Sequence, residues 1–139
     1  MRRELKPFSI LFIEDEESIL KKFVKYLSNR FKNVYGTTNA EDALEIYADK
    51  KPDIMMVDIH LPKMNGLEFI DIIRQKDLST KIIILTAYNE IDYLLSATSL
   101  KLIDYLVKPI KRDTLNKSLL KAIDEIKNFN IQPQKKFFT

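Results

Sequence analysis

"IMMVDIHLPKMNG", Ile54–Gly66, places an uninterrupted apolar run against an aspartate and then a loop. Ile54–Val57 read as a buried strand, and Pro62, Asn65 and Gly66 mark the turn that follows. A carboxylate at the end of a buried strand is costly unless something nearby compensates its charge. Asp58 therefore asks what stands beside it.

The neighbouring segments alternate in kind. Upstream, "FSILFI" (8–13) is short, apolar and rich in β-formers. In residues 17–31, Ile19, Leu20, Phe23, Val24, Leu27 and Phe31 share one helical face, opposite Lys21, Lys22, Lys25 and Ser28. "NVYGT" (33–37) is a second strand candidate. Asn39 can cap a helix over 40–50 whose first turn is acidic, and Pro52 separates that helix from the central strand. Downstream come an amphipathic helix over 65–76, a strand over 81–87 and a weaker helix over 90–100. A strand over 103–107 and a helix over 112–129 follow, with Leu115, Leu119, Ala122, Ile123 and Ile126 on one face of the helix. Phe8, Phe12, Phe23, Phe31 and Phe69 are candidate core residues.

Three of the five strand candidates are continuous apolar runs, so both faces of their sheet should be covered. Strand–helix alternation predicts an α/β fold: a doubly wound, five-stranded parallel sheet with five helices and right-handed crossovers. In such a sheet, ligands bind beyond the carboxyl ends of the strands. The residues there are Glu14, Asp15 and Glu16 after the first strand and Asp58 after the third. Thr86 ends the fourth, and Lys108 with Pro109 follows the fifth. Crowded carboxylates need compensation, which Lys108 and a hard divalent cation can supply. Oxygen ligands suit Mg²⁺, with Mn²⁺ as a substitute, and such a site suits phosphoryl chemistry with Asp58 as nucleophile.

The bulk properties agree. The chain has 139 residues, enough for one domain with a sizeable core. Its net charge of +3 demands neither nucleic acid nor an anionic membrane as partner. It has no cysteine, which excludes disulfides and thiolate metal sites and is compatible with a reducing cytoplasm. The N-terminus reads as neither signal peptide nor anchor, and no apolar run approaches the ~18 residues of a membrane span. Residues 1–128 are expected to form the domain. The aperiodic segment 129–139, which holds Phe137 and Phe138, is expected to be a tail or the start of a linker to an output domain.

Taken in order, "ILFIEDE", "PDIMMVDIHLPKMNGLEF", "KIIILTA" and "DYLVKPI" resemble the receiver domain of two-component response regulators over about residues 7–127. The resemblance implies a flavodoxin-like strand order 2-1-3-4-5. It implies that Asp58 is the phosphoacceptor and a metal ligand, that Asp15 binds Mg²⁺ directly, and that Glu14 acts mostly through water. The backbone carbonyl of His60 would complete the protein ligands. Thr86 and Lys108 would engage the phosphoryl group, and Tyr105 would swing inward when Thr86 moves. The implied phosphodonor is a sensor histidine kinase or phosphotransfer protein. The implied output surface is the face formed by 90–100, 103–107 and 112–129, which can also serve a homodimer.

Three departures stand out. Glu14 occupies a position where aspartate is frequent. The turn before the last strand has no glycine, so a non-glycine residue there should take positive φ. Thr114 and Ser118 stand where one dimerising subfamily carries an acid and an arginine. Two other readings are carried forward: an interaction module of the same fold that needs no phosphorylation, and a phosphatase with an aspartate nucleophile. The latter usually has a second aspartate where this chain has His60.

Overall fold

The computed structural model describes residues 5–92 and 100–136. Each strand candidate is a strand: β1 (Ser9–Ile13), β2 (Asn33–Thr37), β3 (Ile54–Asp58), β4 (Lys81–Thr86) and β5 (Asp104–Val107). They form one parallel sheet in the order β2-β1-β3-β4-β5. Four helices lie among the described residues: α1 (Glu17–Ser28), α2 (Ala40–Lys50), α3 (Gly66–Arg74) and α4 (Arg112–Lys136). The expected helix over 90–100 falls largely outside the described residues, as do Phe137 and Phe138.

The two-residue period of a strand explains why the central runs are apolar throughout. Leu11, Ile13, Met55, Val57, Ile82 and Ile84 join Ala43, Tyr47, Phe69, Ile70 and Ile73 in one core, under α2 and α3. Their alternates Ile10, Phe12, Ile54, Met56, Ile83 and Leu85 join Phe23, Leu27, Leu115, Leu119 and Ile123 in the other, under α1 and α4. Neither face of the central strands meets water. Phe12, Phe23, Phe31 and Phe69 are buried as expected, and Phe8 packs partly buried against the second core.

Local chemistry sets the element ends. The Asn39 side chain accepts a hydrogen bond from Asp42 N–H at 2.8 Å and so caps α2. Asn65 and Glu68 form a reciprocal capping box at the start of α3. The turn before β5 takes its positive φ at Lys101, at 54°. Helix α4 differs from expectation. It continues to Lys136 instead of ending near residue 129, so the aperiodic segment begins as helix.

A polar corner closes the sheet edge opposite the strand ends that carry the acids. Asp77 accepts from Tyr47 Oη at 2.5 Å, from Ser79 N–H at 2.8 Å and from Thr80 N–H at 3.1 Å. Burial alone would raise the Asp77 pKa, but these bonds outweigh it and bring it down to about 2. Burial and the adjacent carboxylate push Tyr47 up to about 12. A carboxylate with a depressed folded-state pKa stabilises the fold above its unfolded value, and that contribution fades as pH falls towards the folded value. Asp77→Asn is therefore expected to cost about 1–2 kcal/mol at neutral pH, discounted for partial exposure. Urea unfolding of parent and variant should converge as pH falls from about 4 to about 2.

Candidate functional site

The strand register carries the polar residues to one place. Ile13 lies opposite Val57, so Glu14 follows β1 beside Asp58 at the end of β3. Asp58 pairs with Leu85, which sets Thr86 one step further along β4. Thr86 pairs with Val107, which sets Lys108 just beyond β5.

Two of these carboxylates are buried: Glu14 is fully enclosed and Asp58 is 2% exposed. The Lys108 ammonium sits between them, 2.7 Å from Asp58 Oδ2 and 2.9 Å from Glu14 Oε1. Burial works against that ammonium. The two carboxylates outweigh it and hold the Lys108 pKa above the ordinary lysine value. Asp58 Oδ1 accepts from His60 N–H at 3.0 Å, and Glu14 Oε2 accepts from Glu16 N–H at 3.1 Å. Glu14 Oε1 lies close to the ammonium but outside hydrogen-bonding geometry, so it is a buried acceptor without a donor.

Asp15 is exposed and completes the cluster. Carboxylate oxygens of Glu14, Asp15 and Asp58 all lie within 4.8 Å of one another. Partial burial of its carboxyl, together with neighbouring Glu14, raises the Asp15 pKa. Three acids thus share one ammonium, and one buried oxygen lacks a donor. An all-oxygen, under-neutralised set of this kind fits a hard divalent cation, directly or through its waters.

The remaining predicted residues take distinct places. Thr86 is fully buried, and its hydroxyl donates to Ala87 C=O at 3.1 Å instead of to Asp58. Tyr105 points outward and is 38% exposed. His60 is exposed, with its main chain against Asp58. Ser118 is buried and donates to Asp104 Oδ2 at 2.7 Å, so it is spent inside the fold. Thr114 is exposed and lines a shallow cleft with Tyr105, Pro109 and Ile110.

Sequence reasoning missed two residues. A Cβ on Gly66 would stand 2.2 Å from the Asp58 carbonyl oxygen, so α3 can begin against the Asp58 main chain only at a glycine. The signal was available, since the chain has only two glycines. Glu90 meets His60 across the mouth of the site at 2.6 Å, and no periodicity or motif announced it. A cleft of about 480 Å³ lies at the opposite edge of the sheet beside Tyr47, Asp77 and Lys81. Its carboxylate Asp77 is already engaged by Tyr47, Ser79 and Thr80.

A family described as "response regulator receiver domain" matches residues 10–120. An uncharacterised response regulatory protein of Staphylococcus epidermidis is 32% identical over 111 residues, covering 78% of this chain and 43% of the relative. The sensory transduction protein LytT of Bacillus anthracis is 33% identical, covering 80% of this chain and 46% of the relative. The chain spans less than half the length of these two relatives. Among solved structures, a response regulator receiver domain protein from Clostridium thermocellum superposes with a TM-score of 0.82 at 25% identity, covering 88% of this chain and 98% of that one. The receiver domain of AraT, a response regulator from Geobacillus stearothermophilus, superposes with a TM-score of 0.78 at 25% identity, covering 88% and 98%.

Removing Lys108 leaves Glu14 and Asp58 buried without a counter-charge. Lys108→Met is expected to lose about 2–3 kcal/mol of unfolding free energy in a chelating buffer. Millimolar Mg²⁺ should recover part of that loss through binding to the folded state alone. Urea unfolding with and without chelator checks both.

Proposed function

The chain belongs to the response regulator receiver domain family, and from that premise we propose that it is a phosphorylation switch with Asp58 as phosphoacceptor. The support is the convergence on Asp58 of a lysine and two further carboxylates, all outside the carboxyl ends of parallel strands. The donor is the phosphohistidine of a sensor histidine kinase or phosphotransfer protein, met in the cytoplasm. The phosphorus–nitrogen bond breaks, its electron pair stays on the imidazole, and an Asp58 oxygen forms the new bond to phosphorus. The product is an acyl phosphate on this chain, so the chemistry is self-modification and no external substrate is turned over.

Each residue has a part. Asp15, Asp58 and the His60 carbonyl would hold Mg²⁺ or Mn²⁺, with Glu14 acting through water. Such a cation would supply neutralisation of charge on the transferring phosphoryl oxygens. Lys108 is already paired with Asp58, so it needs little reorganisation to hold a phosphoryl oxygen. Phosphorylation adds about −1.5 to −2 of charge and new acceptor oxygens. Thr86 turns its hydroxyl from Ala87 to one of them, and the space it vacates admits Tyr105. Phosphorylation biases this equilibrium only by its differential interaction with the two states.

The surface that changes contains Tyr105 and the cleft beside Thr114. It serves an output domain, a separate partner or a second copy. Ser118 faces Asp104, so a second copy would have to use other residues than those of the acid-and-arginine subfamily. The domain itself needs no nucleic acid, and no helix among the described residues is long and apolar enough to cross a membrane.

Incubation with acetyl phosphate and Mg²⁺ should add one phosphoryl group to the parent by intact mass and none to Asp58→Asn. Equal labelling of both would remove Asp58 as acceptor. No labelling of either, with no Mg²⁺ effect on the parent's melting temperature, would favour the phosphorylation-independent interaction module.

A further inference from the structure

Glu90 lies four positions beyond Thr86, in the short 3₁₀ turn Tyr88–Glu90. Its side chain is only 15% exposed, whereas its partner His60 is 76% exposed. Each carboxylate oxygen has one use. Oε2 stands 2.6 Å from His60 Nε2, a hydrogen bond when that nitrogen carries its proton. Oε1 accepts from Ala87 N–H at 3.3 Å. The Glu90 N–H in turn donates to Ala87 C=O at 3.0 Å. One residue therefore holds both polar groups of Ala87 and reaches across to the loop after β3. An ordinary solvated surface pair would not be drawn out of water on its acidic side or be shared with a backbone donor.

We propose that Glu90 is a positioning residue that clasps the β3–α3 loop to the segment after β4, and that this clasp restrains Thr86 in its resting orientation. The inference rests on Asp58 being the phosphoacceptor. The Thr86 hydroxyl proton is committed to Ala87 C=O and cannot be donated at the same time to a phosphoryl oxygen. Turning it breaks that bond to Ala87 C=O, and Glu90 fixes the position of Ala87 by bonding both its N–H and its C=O. His60 closes the arrangement, because its own N–H is on Asp58 Oδ1. A phosphoryl group on Asp58 brings negative charge towards the same donors that Glu90 now occupies, so clasp and phosphoryl group compete.

The test is the rate of Asp58 labelling by acetyl phosphate at fixed Mg²⁺ and pH, with melting temperatures read in the same buffer. Glu90→Ala and His60→Leu should each label about two- to five-fold faster than the parent, the scale of one partly exposed charged contact. The double variant should be no faster than either single one, because both break the same clasp. Glu90→Gln keeps an acceptor for Ala87 and should fall between parent and Glu90→Ala. Unchanged or slower labelling with a lowered melting temperature would make the pair merely structural and overturn the proposal. Rates that multiply in the double variant would overturn it too. A parent that labels while its variants match it removes the clasp alone, and a parent that never labels removes the phosphoacceptor and the clasp together.

Discussion

The Lys108 ammonium, wedged between Asp58 and Glu14, is the interaction on which the site depends. Two carboxylates withdrawn from water repel one another. One lysine cannot neutralise them and Asp15 as well, and the deficit makes the site receptive to a cation. The three paired residues come from the ends of β1, β3 and β5. The parallel sheet delivers those ends to one edge, and in the order β1-β3-β4-β5 Lys108 reaches across β4 to Asp58.

Stability and reactivity are kept at opposite edges of the sheet. At the far edge two carboxylates are well supplied with donors. Asp77 satisfies Tyr47, Ser79 and Thr80, and Asp53 accepts from Ser9 N–H. Arg74 donates to the carbonyls of Leu100 and Lys101 and fixes the approach to β5. At the edge that carries the acids, Glu14 Oε1 lacks a hydrogen-bond donor and the Thr86 hydroxyl is bonded to its neighbour Ala87. Buried polar groups that are fully paired rigidify a fold, whereas an incompletely paired set leaves room for a ligand and for rearrangement.

The loop after Asp58 joins these demands. Gly66 allows α3 to begin against the Asp58 carbonyl, and the capping box of Asn65 and Glu68 holds that start in place. The loop is therefore anchored at its far end, on β4 by the Ile59 N–H and on Asp58 by the His60 N–H, and it meets Glu90 on its outer side. Rigid supports around one adjustable contact suit a site that must hold geometry in one state and yield in another.

Much of this was legible in the order of residues. Strand identity was legible because apolar runs covered on both faces have no other use, and the helices because their apolar positions recur with helical period. The acids, Thr86 and Lys108 were legible because strand ends in such sheets are where ligands bind. The positive φ at Lys101 followed from the absence of glycine in a tight turn. Other features needed the folded chain. Helix α4 runs on to Lys136 although its last residues carry no apolar period, because a backbone ladder can continue without an amphipathic face. That Ser118 turns inward to Asp104, and that Glu90 meets His60, depends on loops whose paths no local pattern dictates. Periodicity is written in neighbouring residues, whereas contacts between distant loops arise only once packing has fixed where each loop begins and ends.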